Sequence, residues 1–491
     1  MPTTPTGGRV RNGDTLFIDG KWCAADDGRT FRVTDPATGA VIATAADGGT
    51  AETDRAIAAA HEAFDTWSAE NAYRRAEVLW RTHALMTERA EDLAALMTQE
   101  QGKPLKAALN EVRYAADFLA WFAEEAKRVY GSSIPSSRGG QRFSVLRQPV
   151  GVVAGITPWN YPVSMITRKV APAVAAGCSI VLKPAEQTPL CAVAVFELLA
   201  EAGLPPGVAN LVTTSRPAEV GARLLDSPLV RKLTFTGSTE VGKDLTARAA
   251  ATMKRVSMEL GGHAPMIVFD DADPVHAAKG AALVKFLNTG QACISPNRIF
   301  VQRSVLPAFT DALLDRVGKL VPGPGHRPGV TIGPLVDEAA LRKVTRQVED
   351  AVEKGARLLA GGDRLTDDGL DAGRFFAPTV LADVDESMRI YREETFGPVA
   401  AIVPFDDESE VVRRANDTEY GLASYLYTRD LGRSVRVSEA LRFGIVGVND
   451  INPTAAAAPF GGVGMSGLGR EGGAHGIDEY LDVKLVGVCL P

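Results

Sequence analysis

The chain has 491 residues, of which 45% are hydrophobic and 23% charged, and at roughly 100–200 residues per domain this length suits a soluble globular protein of several domains. The net charge of −7 and the lack of a basic tract argue against nucleic acid or an anionic membrane as the main partner. No apolar run reaches the roughly 18 residues of a membrane-spanning helix.

The chain begins with a polar, Gly/Pro-rich tail, MPTTPTGGRVRNGD, which lacks the apolar core of a signal peptide. The five cysteines are odd in number and far apart, and the six histidines form no cluster with them at metal-ligand spacing. We therefore expect a cytoplasmic protein without a disulfide framework and without a metal site.

Three amphipathic helices are predicted next, over about 51–67, 72–99 and 105–130, because apolar residues recur there at steps of three and four. The following stretch, 130–150, is rich in Ser, Gly and Arg and alternates between polar and apolar residues near its end. That pattern predicts an exposed excursion with a strand that pairs outside the main body.

From about residue 150, short apolar runs such as GVVAGITP, SIVLKP and RKLTFTGS alternate with helical patterns. Such alternation predicts βαβ units and a mainly parallel sheet, and therefore an α/β fold. A second strand–helix series begins after about 262 and runs to about 440. The last predicted elements are a short helix and a final strand.

Two glycine-rich segments resemble phosphate-binding loops. GVGMSG (462–467) matches GxGxxG but lacks the βαβ context, so a mobile glycine-rich loop is the favoured interpretation. In GSTEVGKD (237–244) a predicted strand leads into a helix whose first amides suit a pyrophosphate. Asp244 stands where a Walker motif needs Ser or Thr, which disfavours an ATPase, and a plain capped turn is an equal alternative.

KPAEQTP (183–189) follows a predicted buried strand and supplies Lys183 and Glu186. Ligands of open parallel sheets bind beyond the carboxyl ends of the strands, so these side chains are candidates for hydrogen bonds to ribose hydroxyls. Two solvated loop charges are the alternative interpretation.

Taken together, these segments resemble the aldehyde dehydrogenase superfamily over about residues 15 to 486. The likeness rests on seven motifs in this order: PWNYP (158–162), KPAEQTP (183–189), FTGSTEVGK (235–243), MELGG (258–262), NTGQACIS (288–295), EETFGPV (393–399) and PFGGVGMSGLGREGG (459–473). Within the family the chain looks most like the NAD(P)-dependent succinate-semialdehyde dehydrogenases, through ITRK (166–169), GLASYLYTRD (421–430) and GIDEYLDVK near the end.

The resemblance implies an α/β fold of three parts. A Rossmann-type NAD-binding domain is expected from 1–130 and 150–261, and an α/β catalytic domain from 262–470. A small β oligomerisation part is expected from 131–149 and 471–491. Exchange of strands through that part is expected to build a homodimer or a homotetramer, and the sequence does not decide between them.

The resemblance also implies the catalytic residues of aldehyde oxidation. Cys293 is expected to add to the aldehyde and form a thiohemiacetal, which becomes a thioester when it loses hydride. The Asn160 amide and the Cys293 backbone N–H are expected to stabilise the oxyanion, and one such donor is typically worth about 3 kcal/mol. Glu259 is expected to activate the water that hydrolyses the thioester. A non-catalytic protein on this fold would require the loss of one of these residues.

The cofactor implied is NAD, with NADP admitted by a shift of a loop. The Glu186 carboxylate favours a ribose 2′-hydroxyl over a 2′-phosphate. Glu394 is expected to bind the nicotinamide ribose, and Phe396 is expected to pack near the nicotinamide ring. The predicted cofactor-binding residues are Ile156, Thr157, Trp159, Lys183, Glu186, Gly237, Ser238, Gly242, Leu260, Glu394 and Phe396.

The predicted substrate-binding residues are Arg168, Arg298, Thr454 and Phe460. Arg168 is expected to bind the substrate carboxylate, with a structural salt bridge as the alternative. Phe460 is expected to line the entrance of the substrate site. Relatives that hold a substrate carboxylate often have Arg just before NTGQ, where this chain has Leu287. The expected reaction converts succinate semialdehyde to succinate, and a neutral aliphatic or aromatic aldehyde stays open as the alternative substrate.

Overall fold

The computed structural model describes residues 13–490, so most of the predicted polar tail at 1–14 lies outside the described residues. Two short hairpins precede four helices at the start of the described chain. These elements are β1 (Leu16–Ile18), β2 (Lys21–Cys23), β3 (Thr30–Thr34), β4 (Val41–Ala46), α1 (Thr50–Ala69), α2 (Ala72–Glu88), α3 (Ala90–Gln101) and α4 (Leu105–Glu125).

The predicted helix over 72–99 is wrong in one respect, because the chain forms two helices there. Arg89, with φ −100° and ψ 21°, leaves the helical range between α2 and α3. The apolar spacing continues across this break, since both helices pack on α4 around Leu79, Met97 and Phe118. Helix α4 also ends earlier than predicted, at Glu125, and a 3-10 turn (Ala126–Arg128) follows it.

The middle of the chain follows the predicted alternation of strands and helices after an excursion of two strands. In chain order it contains β5 (Ser132–Pro135), β6 (Gln141–Pro149), β7 (Val152–Ile156), α5 (Ser164–Ala176), β8 (Ser179–Lys183), α6 (Pro189–Glu201), β9 (Ala209–Leu211), α7 (Pro217–Asp226), β10 (Val230–Thr236), α8 (Thr239–Ala250) and β11 (Arg255–Glu259).

The second strand–helix series also forms, and the predicted final helix and strand close it. The elements are β12 (Ala264–Val268), α9 (Pro274–Lys285), β13 (Pro296–Gln302), α10 (Leu306–Val317), α11 (Glu338–Glu353), β14 (Arg357–Ala360), β15 (Thr379–Ala382), α12 (Arg389–Arg392), β16 (Val399–Phe405), α13 (Glu408–Ala415), β17 (Ala423–Tyr427), α14 (Leu431–Ala440), β18 (Ile445–Val448), β19 (Gly467–Leu468), α15 (Gly473–Asp478) and β20 (Leu481–Cys489). No helix within residues 13–490 is long and apolar enough to cross a bilayer.

The first sheet has the order β19-β11-β10-β7-β8-β9-β1-β2, and its strands β7 to β11 are parallel. From β7 the chain proceeds to β8 and β9 on one side and then returns to β10 and β11 on the other. The strand order therefore reverses beside β7. Open α/β sheets bind ligands at such a reversal, beyond the carboxyl ends of the strands.

The second sheet has the order β14-β15-β16-β13-β12-β17-β18, and all its neighbours are parallel except the edge strand β14. Apolar clusters cover both of its faces, and the partly buried Cys293 packs against one of them. This sheet places the predicted nucleophile just before strand β13.

The third sheet contains β20, β6 and β5. Strands β6 and β20 pair antiparallel along their full length, from Leu481 opposite Pro149 to Cys489 opposite Gln141. One departure from the expected division concerns β19, which joins the first sheet although it falls within the predicted catalytic range. The division into three functional domains stays a prediction.

The GVGMSG segment is anchored at Ser466, while Val463 and Met465 are exposed, and its mobility stays a prediction. Ser466 is fully buried, and its hydroxyl donates to the Gly261 carbonyl at 2.6 Å. The same hydroxyl accepts from the Gly421 amide at 2.9 Å. The segment therefore supports the MELGG turn from behind.

Candidate active site

Four neighbouring strands of the first sheet deliver predicted site residues to one edge. Ile156 ends β7, Lys183 ends β8 and Glu259 ends β11, while Gly237 follows β10. These strands are adjacent in the order β11-β10-β7-β8, so their carboxyl ends meet beside the reversal of strand order. The amide of Thr157 also reaches across, donating to the Lys183 carbonyl at 3.1 Å.

The loop that carries Cys293 has an unusual backbone. Asn288, Thr289 and Gly290 have φ of 49°, 60° and 74°, a left-handed run that costs about 1 kcal/mol or more for each residue other than glycine. A Cβ on Gly290 would collide with the Gly397 carbonyl, so only glycine fits there. Such a backbone persists only where its surroundings fix it, and the loop therefore holds Cys293 in one position.

Asn160, the predicted oxyanion donor, is buried and tied to this loop. Its Nδ2 donates to the Gln291 carbonyl at 3.2 Å, and its Oδ1 accepts from the Tyr161 amide at 3.1 Å. The Asn160 carbonyl accepts from Asn288 Nδ2 at 2.9 Å. PWNYP and NTGQACIS, far apart in sequence, are thus directly hydrogen-bonded.

Glu259, the predicted general base, is buried, and its Oε1 has no hydrogen-bond partner among the described residues. Burial raises the pKa of Glu259 to about 7, against the opposing charges of Arg168 and Lys169. Burial also raises the pKa of the Cys293 thiol, and the neighbouring Glu259 carboxylate raises it further. Near neutral pH the pair therefore holds its protons as a thiol beside a half-ionised carboxyl group.

A charged cluster lies next to this pair. Glu471 forms ion pairs with Arg168 Nε at 2.9 Å and with Lys169 Nζ at 2.5 Å. Sequence reasoning did not single out Lys169 or Glu471. The available signal was an Arg and a Lys side by side on α5, a helix whose residues are all buried, since buried cations require a carboxylate partner.

The four predicted substrate residues have different surroundings. The Phe460 ring lies 4.1 Å from the Arg168 guanidinium carbon, so these two form one wall. Thr454 lies on a surface groove beside Tyr114 and Trp121, and its hydroxyl donates to Asn452 Oδ1 at 3.0 Å.

The prediction that Arg298 binds the substrate requires a correction. Its side chain is fully buried in the second sheet, and its guanidinium donates to the carbonyls of His263, Arg414 and Ala415 at 3.1, 3.0 and 2.9 Å. These bonds stabilise the chain around β13. Because both of its Nη atoms already donate to backbone carbonyls, Arg298 serves the second sheet rather than a substrate.

The predicted phosphate-binding turn has the expected form. Ser238 caps α8, and its Oγ accepts from the Val241 amide at 3.4 Å. A Cβ on Gly242 would collide with the Leu260 side chain, so glycine lets MELGG pack onto the first turn of α8. The capped helix start is thereby fixed at the ligand-binding edge of the sheet.

Carboxylates and aromatic rings lie around the carboxyl ends of the strands of the first sheet, where a dinucleotide would need partners for its riboses and its nicotinamide ring. Lys183 lies 3.3 Å from Glu186, and Glu394 Oε1 accepts from the Gly262 amide at 3.0 Å. The rings of Trp159 and Phe396 meet edge to face with their centroids 5.6 Å apart. The residues present therefore fit two riboses, a pyrophosphate and a flat ring. Among residues 13–490 no group of three or more His, Cys, Asp or Glu is arranged to hold a metal ion.

The profile of the Aldehyde dehydrogenase family matches residues 22–486. The chain belongs to the aldehyde dehydrogenase family. It is 54% identical over 474 residues to the 3-sulfolactaldehyde dehydrogenase of Pseudomonas putida, covering 96% of each chain. It is 51% identical over 474 residues to the succinate-semialdehyde dehydrogenase [NADP(+)] of Escherichia coli (strain K12), covering 96% of this chain and 97% of that one.

The fold of this aldehyde dehydrogenase is shared with solved members of the family. The succinate-semialdehyde dehydrogenase of Burkholderia pseudomallei superposes with a TM-score of 0.96 at 49% identity, covering 98% of both chains. The predictions of the family, of the α/β fold and of an oxidoreductase that converts an aldehyde to an acid with a nicotinamide dinucleotide are confirmed. The roles of the individual site residues stay predictions.

Proposed function

We propose that this aldehyde dehydrogenase oxidises a short aldehyde that carries a remote anionic group, with succinate semialdehyde as the best candidate. The observation that carries the proposal is the unpartnered donor on Arg168. Its Nη2 is buried and has no hydrogen-bond partner among the described residues. A buried donor without a partner is costly, and an anionic group of a bound substrate would satisfy it.

The charge balance around Arg168 supports the same substrate class. Arg168 and Lys169 share one carboxylate, that of Glu471, so the cluster keeps an excess of positive charge. The guanidinium also interacts electrostatically with the predicted nucleophile Cys293 and the predicted base Glu259, which supports a role for Arg168 near them. Phe460 covers the guanidinium and excludes water from it. A substrate with an aldehyde at one end and an anion at the other would span thiol and guanidinium.

The two sequence relatives described above point to the same class. One is named for 3-sulfolactaldehyde and the other for succinate semialdehyde, and each of those compounds carries an anionic group at the end of the chain opposite the aldehyde. Since each relative is more than half identical to this chain over almost all of its length, a substrate of the same charge is the simplest proposal for it.

In the proposed mechanism Cys293 adds to the aldehyde carbon after its proton passes to Glu259. The oxyanion formed in that step would accept from Asn160 Nδ2 and from the Cys293 amide. A bound nicotinamide ring supplies the hydride acceptor that converts the thiohemiacetal to a thioester. Glu259 then releases the thiol proton to solvent and takes a proton from water, which attacks the thioester. Collapse of that adduct releases the carboxylic acid, and the proton held on Glu259 restores the Cys293 thiol. A carboxyl group with a pKa of about 7 suits both proton transfers.

For the cofactor we propose NAD as the preferred acceptor, with NADP also admitted. Glu186 and Glu394 would hold the hydroxyls of the two riboses, and the capped start of α8 at Ser238 would hold the pyrophosphate. Trp159 and Phe396 would flank the nicotinamide end.

The test compares succinate semialdehyde with butanal, which has the same carbon chain without the carboxylate. We expect kcat/KM for succinate semialdehyde to exceed that for butanal by about 100-fold, and Arg168→Leu to reduce this ratio by about 10-fold or more. The ratio corrects for any effect of the substitution on Glu259, because both substrates undergo the same chemistry. A ratio near one, or a ratio that Arg168→Leu leaves unchanged, would contradict the proposal.

A neutral aliphatic aldehyde is the second candidate, and Leu287 favours it. This side chain is 43% exposed and provides an apolar surface just before the nucleophile loop, where an arginine would provide a second cation. Under this alternative butanal would be the better substrate and Arg168 would serve only to balance Glu471. The comparison above separates the two candidates.

We further propose a homo-oligomer, dimeric or tetrameric, assembled through β20, and a cytoplasmic location. Strand β20 forms an edge of its sheet, and Val483 and Leu485 on it are 73% and 61% exposed. Unpaired edges with exposed apolar side chains favour strand pairing with another chain. Light scattering of Leu485→Lys should reveal a smaller species than that of the unaltered protein.

The five cysteines, all free, suit a reducing compartment such as the cytoplasm.

A further inference from the structure

A buried ion pair outside the predicted site contacts the turn that carries Asn160. Lys103 follows α3, Glu111 lies on α4, and their side chains, each 1% exposed, form a salt bridge. Neither residue belongs to any motif that indicated the function. Burying two charges is expensive, and such pairs contribute little to stability compared with well-packed apolar residues. The position of the pair therefore calls for another explanation.

The contacts of the pair are concentrated on the PWNYP turn. Lys103 Nζ donates to the Asn160 carbonyl at 2.9 Å and lies 3.9 Å from the centre of the Tyr161 ring. Glu111 Oε1 accepts from the amides of Val163 and Ser164 at 3.1 and 3.2 Å. Lysine thus holds the carbonyl side of the turn, and glutamate holds the amides at the start of α5.

The same region is fixed from the other side by the loop of Cys293. Asn288 Nδ2 donates to the Asn160 carbonyl that Lys103 also contacts. That carbonyl therefore accepts from two donors, one on each side of the site. Because the Asn160 side chain starts at the same residue, a shift of this peptide would move its Nδ2 relative to the thiol.

We propose that Lys103 and Glu111 are positioning residues that set the place of the Asn160 amide as an oxyanion donor. The inference rests on the proposed role of Asn160. The pair touches neither substrate nor cofactor in this assignment and acts only through the turn. A charged pair is suited to this task because its hydrogen bonds to backbone groups are stronger than neutral ones and hold the peptide more closely.

The experiment removes the pair in the presence and in the absence of the Asn160 side chain. Lys103→Met combined with Glu111→Gln leaves no unpaired buried charge and keeps an acceptor for the amides of Val163 and Ser164. The matched control, Arg89→Met with Glu201→Gln, removes a surface ion pair at the junction before α3. Each double variant is made alone and together with Asn160→Ala, and the full-length proteins are assayed with the best aldehyde of a panel.

We expect loss of the buried pair to lower kcat by about 10-fold, with KM for the aldehyde and Kd for NAD changed less than about twofold. In the Asn160→Ala background the same loss should lower kcat by less than about twofold, because the group that was positioned is gone. The surface control should change neither. An equal fold-loss in both backgrounds, or a loss of NAD binding that accompanies the loss of kcat, overturns the inference and assigns the pair to general stability. If Asn160→Ala alone is fully active, the proposed oxyanion role fails first, and the inference with it.

Discussion

Burial and the charge of the Glu259 carboxylate together raise the pKa of the Cys293 thiol, although the two residues come from different sheets. Glu259 ends β11 of the first sheet, and Cys293 precedes β13 of the second. Burial raises the pKa of both groups, so each favours its neutral form. In the proposed mechanism the thiol proton therefore passes to the ionised form of Glu259 before the sulfur attacks the aldehyde.

The first prediction concerns the pH dependence of this pair. Glu259 can accept a proton only when it is ionised, and its pKa is raised to about 7, so kcat/KM should rise with pH through about 7 and then level off. Below that pH the rate should fall about tenfold per unit. Glu259→Gln should lose most of the activity and the rise near pH 7 together. The assignment is wrong if the variant keeps that rise.

A second prediction uses the position just before the nucleophile loop. Leu287 is 43% exposed, so an arginine there has room to extend without displacing the core. Under the proposed function Leu287→Arg adds a second cation for the substrate anion and should lower KM for succinate semialdehyde about 10-fold. KM for butanal should stay within about twofold, which serves as the internal control. Equal changes for both aldehydes would show that Leu287 does not face the anion.

The third prediction concerns the choice of cofactor. Lys183 is buried and lies 3.3 Å from Glu186, whose carboxylate would repel a 2′-phosphate. Glu186→Ser removes that charge and leaves Lys183 available to bind a phosphate. The ratio of kcat/KM with NADP to that with NAD should therefore increase by about 10-fold, measured at fixed saturating aldehyde. A ratio that does not move would place the 2′ position away from Glu186.

Local sequence patterns predicted much of this molecule, because the fold is built from short repeated units. The alternation after residue 150 predicted the parallel strands, and the motifs predicted that Cys293, Asn160 and Glu259 would converge. The break at Arg89 was not predictable, since the apolar spacing that buries α2 and α3 continues across it. The Lys103–Glu111 pair was also not predictable, because a charged residue of an amphipathic helix, such as Glu111, or of a loop, such as Lys103, normally faces solvent.

Arg298 illustrates the opposite error, since a cation near the nucleophile in sequence was predicted to face the substrate. Side chains of a strand alternate between the two faces of its sheet, so a distance of five positions from Cys293 says little about direction. Its guanidinium instead donates to the carbonyl of His263, just before β12, and to those of Arg414 and Ala415 at the end of α13.

The last prediction is a dependence of stability on pH caused by Lys285. This residue is fully buried at the end of α9, and its Nζ donates to Asn297 Oδ1 at 3.0 Å. Burial lowers its pKa from 10.5 to about 7. Below about pH 7 the lysine is charged in both the folded and the unfolded state, and the folded state bears the full cost of the buried charge. Between pH 7 and 10.5 the unfolded state binds more protons, so the cost declines as the pH rises.

Lys285→Met should therefore stabilise the protein most at pH 6.5, where the gain in the free energy of unfolding is on the order of 4 to 5 kcal/mol, less the lost hydrogen bond to Asn297. This gain appears as a higher Tm. At pH 9.5 most of this gain should be absent. Lys279→Met, an exposed position on the same helix, is the matched control and should show no such trend. Thermal unfolding of the three proteins at both pH values measures the effect. A difference in Tm between Lys285→Met and the unaltered protein that is the same at both pH values would mean that Lys285 keeps its proton throughout this range, contrary to the effect of its burial.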